Sequence, residues 1–134
     1  GGGEFYTERY EGLTQCLGKQ KFDVAVCNFS LLGKESVEAL LNVMPEIIND
    51  GGHLVIQTLH PLIVCGDAPY QDGWREGSWQ GFSRDFCDAP PWYFRTLESW
   101  VKLLCDSNFQ VREIREPRES SAAAPASIIF LVQP

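Results

Sequence analysis

Two short clusters of polar and aromatic side chains stand where chemistry would be done. Asn28, Phe29, Ser30 and Leu31 follow the apolar run Val24–Cys27, and Gln57, Thr58 and His60 follow a second run, His53–Thr58. An asparagine amide orients a partner through paired donor and acceptor atoms. An aromatic ring packs against a flat apolar group. An imidazole titrating near neutrality takes a proton from an attacking nucleophile, which makes His60 the candidate general base. The competing readings are structural: Asn28 caps a turn, and His60 bonds backbone in the turn before Pro61.

Those clusters need elements to position them. Lys21 to Pro61 reads as a strand, a polar break, an amphipathic helix over 35–49, an Asn49-Asp50-Gly51-Gly52 stop and a second strand over 53–58. In the helix, Val37, Leu40, Leu41, Met44, Ile47 and Ile48 form one apolar stripe. Pro45 lies inside it and predicts a kink or loosened turn, since it donates no hydrogen bond. The whole is a right-handed βαβ unit, and such sheets collect ligands at the carboxyl ends of parallel strands. Both clusters lie at those ends.

Further along, 59–92 loses all periodicity while keeping Tyr70, Trp74, Trp79, Phe82 and Phe86. Aromatic content of that kind argues for an ordered cap over a pocket. Trp74, Trp79, Trp92 and Tyr93 offer flat apolar surface, and Arg75 and Arg95 are candidates for an anionic substrate. The opposing reading packs Trp92 and Phe94 on the sheet and pairs Arg95 with Glu98. Thr96 then caps a helix running to about Asp106, with Asn108 at its far end. A weakly alternating strand over 109–115, a polar loop and an apolar strand over 127–132 close the chain as a hairpin at a sheet edge. Upstream, 4–7 is a weak strand and 10–17 a short helix or turn.

The segments FDVAVCNFSLL and GGHLVIQT, in this order, resemble the middle of a class I S-adenosylmethionine-dependent methyltransferase. The resemblance implies an α/β, Rossmann-like fold of which this chain is the C-terminal part. In the family the strand order is 3-2-1-4-5-7-6, and the runs at 24–27 and 53–58 match strands four and five. Residues 4–7 then match strand three. The single domain divides into a strand-three-like segment and linker (1–20), the central βαβ unit (21–61), the aromatic cap (62–95), and the helix with the terminal hairpin (96–134).

The same resemblance implies S-adenosyl-L-methionine as cofactor, with Asn28, Phe29, Ser30 and Leu31 on its wall and Arg9 and Tyr10 beside its adenine. Trp74, Arg75, Tyr93 and Arg95 fall on the acceptor side. The family's glycine-rich GxGxG turn is absent: Gly1-Gly2-Gly3 opens no helix after a strand, and Gly51-Gly52 precedes a strand. The chain alone is therefore expected to bind the cofactor weakly or not at all. Activity would require upstream sequence. NFSL also differs from the (N/D)PPY of amino-group base methylases.

Bulk properties narrow the partners. The chain has 134 residues and a formal net charge of −7, with 44% hydrophobic and 22% charged residues. One modest core fits that length. The negative balance, with Arg112, Arg115 and Arg118 set among glutamates, disfavours nucleic acid and favours a small-molecule acceptor. No apolar run suits a membrane span and no signal-peptide pattern opens the chain, so the cytoplasm is the expected compartment. Five cysteines without a CxxC pair predict reduced thiols and no metal, with Cys27 and Cys105 as small core residues. The absence of GxSxG sets aside a hydrolase built on His60. The remaining alternative is a truncated, non-catalytic module. It would self-associate or bind a partner through an exposed strand edge, giving a homodimer, unless a rearranged 4–7 segment covers that edge.

Overall fold

Residues 3, 7–77, 90–121 and 123–134 are described by the computed structural model. The two apolar runs form parallel strands, β1 (Phe22–Asn28) and β2 (Ile48–Leu59), joined by the helix α2 (Glu35–Ile47), which follows a 3-10 turn (Tyr10–Gly12) and a short helix α1 (Leu13–Leu17). A hairpin of β5 (Gln110–Arg115) and β6 (Ser127–Gln133) adds antiparallel to β2, giving the order β1-β2-β6-β5. That is the 4-5-7-6 half of the order implied by the resemblance. Between the two halves lie a four-residue helix α3 (Pro61–Val64), a two-stranded ribbon of β3 (Gly73–Arg75) and β4 (Trp92–Phe94), and the helix α4 (Leu97–Asp106).

Burial follows the sequence periods. Val37, Leu40, Leu41, Met44 and Ile47 of α2 meet Leu54 and Ile56 of β2, Ile128, Phe130 and Val132 of β6, and Trp100 and Leu104 of α4 in one core. Alternation along β2 and β6 places those residues on one face of the sheet. The opposite face carries Val24 and Val26, which are 55% and 65% exposed. The apolar run of β1 therefore does not mark a strand buried on both faces; among the described residues it lies at the sheet edge.

Two expectations about local structure change. Asn49-Asp50-Gly51-Gly52 does not stop the helix. The chain is already extended at Ile48, and the four residues form an irregularity within β2, where Phe22 pairs with Ile48 but Val24 pairs with His53. Gly51 takes a φ of +79°, and a Cβ on Gly52 would lie 2.7 Å from the Asp23 carbonyl oxygen and 2.9 Å from that of Asn49. Both glycines thus serve a bulge, one by conformation and one by close approach. The helix runs through Pro45 and ends two residues later. Cys105 is exposed on α4, whereas Cys27 is buried as expected.

Other boundaries match. Thr96 caps α4, its Oγ1 accepting from the Ser99 N–H at 3.1 Å. Asn108 takes a φ of +67° just past that helix, and the Phe109 N–H reaches back to the Leu104 carbonyl at 3.0 Å. The strand expected at 4–7 lies outside the described residues except for Thr7, which has no regular structure, and Trp79, Phe82 and Phe86 also lie outside them. No helix among the described residues is long and apolar enough to cross a membrane.

Candidate functional site

Parallel pairing brings the carboxyl ends of β1 and β2 side by side: Asn28 registers with Gln57, and the Phe29 N–H donates to the Gln57 carbonyl at 2.8 Å. The chain then turns away at Phe29, whose φ of +52° is rare outside glycine. The turn leaves the Phe29 ring 44% exposed at the strand end and drives Leu31 into the core at 2%. Tyr10 approaches the same loop from the other side, its hydroxyl donating to the Ser30 carbonyl at 3.2 Å. Tyr10 and Asn28–Leu31, matched separately by sequence, thus meet at one corner. Arg9 is exposed next to Tyr10, its backbone N–H bonded to Glu8.

The loop is held from above by β4. The Tyr93 N–H donates to the Leu32 carbonyl at 2.7 Å. The Arg95 side chain sends Nη1 to the Gly33 carbonyl at 3.0 Å and Nη2 to the Lys34 carbonyl at 3.1 Å. Its guanidinium lies 4.9 Å from the Tyr93 ring and 5.2 Å from the Trp100 ring. Burial pushes the Arg95 guanidinium below its ordinary range, with Glu38, Tyr93, Asp72 and Glu35 working against that shift. Arg95 was expected to meet an anionic substrate. Instead it is only 3% exposed and clamps the loop after β1; it does not pair with Glu98. Cys27, below the loop, has its thiol pushed up by burial, partly offset by a hydrogen bond with Ser30.

The cap is tied to the start of α4. Asp72 accepts from the Thr96 N–H at 2.9 Å and from the Ser99 hydroxyl, and the Tyr70 oxygen accepts from the Leu97 N–H at 2.9 Å. A carboxylate and a hydroxyl at a helix N-terminus satisfy donors that have no partner within the helix. Trp74, 55% exposed, stands edge-on to Tyr93 across the β3–β4 ribbon, ring centres 5.5 Å apart. Among the described residues the segment after β2 is therefore ordered by short elements and not irregular throughout.

His60 does not face this corner as a free base. It is 2% exposed and caps α3: Nδ1 accepts from the Leu62 N–H at 3.3 Å, so Nε2 carries the hydrogen and donates to Glu116 Oε2 at 2.6 Å. Its backbone N–H bonds the Ala126 carbonyl at 3.0 Å. Both ring nitrogens are thus engaged within the chain. The candidate general base is a clasp between the end of β2 and the loop joining β5 to β6. His53 is half-buried within β2, at the end remote from the corner.

Two openings border the cap. A slot of about 20 Å³ under β4, lined by Leu31, Thr58, Tyr93 and Arg95 among others, has room for no more than a water. A cavity of about 290 Å³ lies between α3 and the ribbon, where Arg75 and Trp92 take part in its lining. Sequence reasoning missed Tyr70, Asp72 and Glu116. Their partners are 24 or more residues away, so no local pattern marks them. No group of three or more His, Cys, Asp or Glu side chains among the described residues is arranged to hold a metal.

No family model and no curated protein matches the sequence, but solved structures match the fold. An S-adenosylmethionine-dependent methyltransferase from Mesorhizobium loti superposes with a TM-score of 0.62 at 19% identity, over 87% of this chain and 63% of its own. The fold is that of a class I S-adenosylmethionine-dependent methyltransferase. Two further methyltransferases of that dependence agree. The one from Clostridium acetobutylicum has a TM-score of 0.58 and 13% identity, over 85% of this chain and 58% of its own. The one from Methanosarcina mazei has a TM-score of 0.62 and 14% identity, over 97% and 66%. The chain thus spans about three fifths of the length of the methyltransferases it resembles.

Proposed function

We propose that this chain is the acceptor-side part of an S-adenosylmethionine-dependent methyltransferase acting on a small molecule, and that activity requires sequence beyond it. The reading is carried by the meeting of Asn28 and Gln57 at the ends of two parallel strands, in a sheet whose order is the 4-5-7-6 half of the methyltransferase sheet. The residues present fit one wall of the cofactor. An exposed Phe29 ring stands at the strand end, with Tyr10 bonded to the neighbouring Ser30 carbonyl. The sequence has no glycine-rich turn for the opposite wall.

The cofactor supplies an electrophilic methyl group on a sulfonium. What the protein must add is alignment of the acceptor and exclusion of water. Arg95 and Tyr93 serve alignment by fixing the loop at 31–34, and the aromatic ribbon serves exclusion. The net charge of −7 supports a small molecule over a nucleic acid as acceptor. Isothermal titration of S-adenosylmethionine into this chain and into the protein expressed from its full reading frame tests the proposal. Micromolar binding by the longer protein and weak or no binding by this chain is expected; no binding by the longer protein would end it.

A second reading rests on β1. Its outer edge has no hydrogen-bonded neighbour strand among the described residues, and Phe22, Val24 and Val26 are 41%, 55% and 65% exposed. Unpaired apolar edges invite pairing with another chain. Light scattering after size exclusion would show a dimer that Val26→Lys converts to monomer; a wild-type monomer at high concentration excludes this reading.

A further inference from the structure

The helices α2 and α4 both pack on the sheet face that carries Leu54, Ile56, Ile128, Phe130 and Val132. On the other face, strand register sets Val26, Val55 and Leu131 in one row across three strands. Val24 stands a step toward the start of β1, and Ile129 a step toward the start of β6. Val24 and Val26 are exposed and the other three half-buried. The five form a diagonal apolar strip that crosses two strand spacings, about 10 Å, and four residues of β2, about 13 Å. Its length is then about 16 Å, which is about three turns of an α-helix, and an amphipathic helix offers one apolar stripe to match it.

The two ends of the strip differ. On the β5 side it stops at Glu113 and Arg115, the registered partners of Leu131 and Ile129, which form an ion pair with each other at 2.9 Å. Charged side chains of this kind finish an edge strand. On the other side the strip runs out to β1, whose outer edge has no neighbour strand among the described residues, and its most exposed members stand there. Parallel strands such as β1 and β2 are ordinarily covered on both faces. Edge pairing with a second copy leaves the strip bare. A twofold that sets β1 antiparallel to itself stands perpendicular to the sheet and keeps both strips on the same side. The methyltransferases of the same fold are longer, and the chain spans 63% and 58% of two of them.

We infer that this strip seats an amphipathic helix of about three turns, supplied by the same protein from sequence beyond these 134 residues. Its apolar stripe lies over Val26, Val55 and Leu131, and its polar side faces solvent. The inference rests on the reading that the protein extends beyond this chain, and it is independent of cofactor binding.

The test therefore contains no cofactor: a failed S-adenosylmethionine titration leaves the helix standing, and a missing helix leaves the titration untouched. Val24→Cys, Val26→Cys and, as a control on the same face, Glu113→Cys are made in the protein expressed from its full reading frame, with thermal melts to confirm folding. Maleimide labelling is located by fragment mass spectrometry, which separates position 26 from Cys27. Positions 24 and 26 should label at least about a hundredfold more slowly than 113, at every protein concentration. In a second arm, benzoylphenylalanine is incorporated in place of Val26, irradiated, and its adducts mapped. Expected are adducts within one molecule to a peptide outside these 134 residues, at positions three or four apart. Labelling of 24 and 26 as fast as 113, protection that vanishes on dilution, or adducts confined to these residues or joining two copies each overturn the inference.

Discussion

Arg95→Ala would release the loop that carries the proposed cofactor wall, and its cost can be worked from contacts. Two hydrogen bonds from a charged donor are lost, to the carbonyls of Gly33 and Lys34, at about 1.5 kcal/mol each. Contacts of the guanidinium with the Tyr93 and Trp100 rings add about 1 kcal/mol each. Against this, removing a buried cation that makes no ion pair among the described residues recovers roughly 2 kcal/mol of desolvation. The net loss is about 3 kcal/mol. For 134 residues, an unfolding entropy near 2.1 cal/mol/K per residue turns that into a Tm lower by about 10 °C. Arg95→Lys should recover less than half, because one ammonium cannot reproduce a fork set on two neighbouring carbonyls.

Circular dichroism melts measure the loss, and hydrogen exchange locates it. The Tyr93 amide, bonded to Leu32, should lose protection while the amides pairing β2 with β6 keep theirs. A Tm within about 2 °C of wild type in Arg95→Ala, with Tyr93 still protected, would refute the clamp.

Further expectations concern three other residues. The Cys27 thiol is pushed up by burial, so its folded value lies above the unfolded one; its stabilisation is whole below about pH 8.5 and is lost as pH rises through the folded value. Wild type should therefore lose more Tm than Cys27→Ala between pH 8 and pH 10.5; parallel curves would contradict this. Gly52→Ala forces a Cβ against two backbone oxygens and should cost about 2–3 kcal/mol in chemical denaturation, whereas a loss under about 0.5 kcal/mol would show the bulge to be pliant. His60→Ala should cost about 2–4 kcal/mol, since it strips a buried clasp, and Glu116→Gln under about 1 kcal/mol, since an acceptor oxygen remains. Equal losses would mean that the charge on Glu116, not its oxygen, holds the histidine.

What the sequence made legible were features whose cause is local. The α2 stripe, the Thr96 cap and the left-handed Asn108 depend on neighbours within a turn or two, and all are found. The order of the sheet was legible only through family resemblance. Val24 and Val26 show the limit of apolarity as a signal: it says that a strand should be covered, not that anything in this chain covers it. Gly51-Gly52 misled because glycine ends helices and forms bulges through the same freedom. The site depended on long-range pairs, Arg95 with Gly33 and His60 with Glu116, separated by 62 and 56 residues. Those bonds engage Arg95 and His60, two candidate site residues, in contacts within the fold.

The most direct measurement is photolabelling of the protein expressed from its full reading frame with methyl-tritiated S-adenosylmethionine, followed by tryptic mapping. Cleavage after Lys21 and Lys34 isolates a peptide holding all of β1 and Asn28–Leu31. Label on that peptide, displaced by unlabelled cofactor, is the expected result. Displaceable label found only on peptides from α4 and the β5–β6 hairpin would place the cofactor elsewhere and contradict the account.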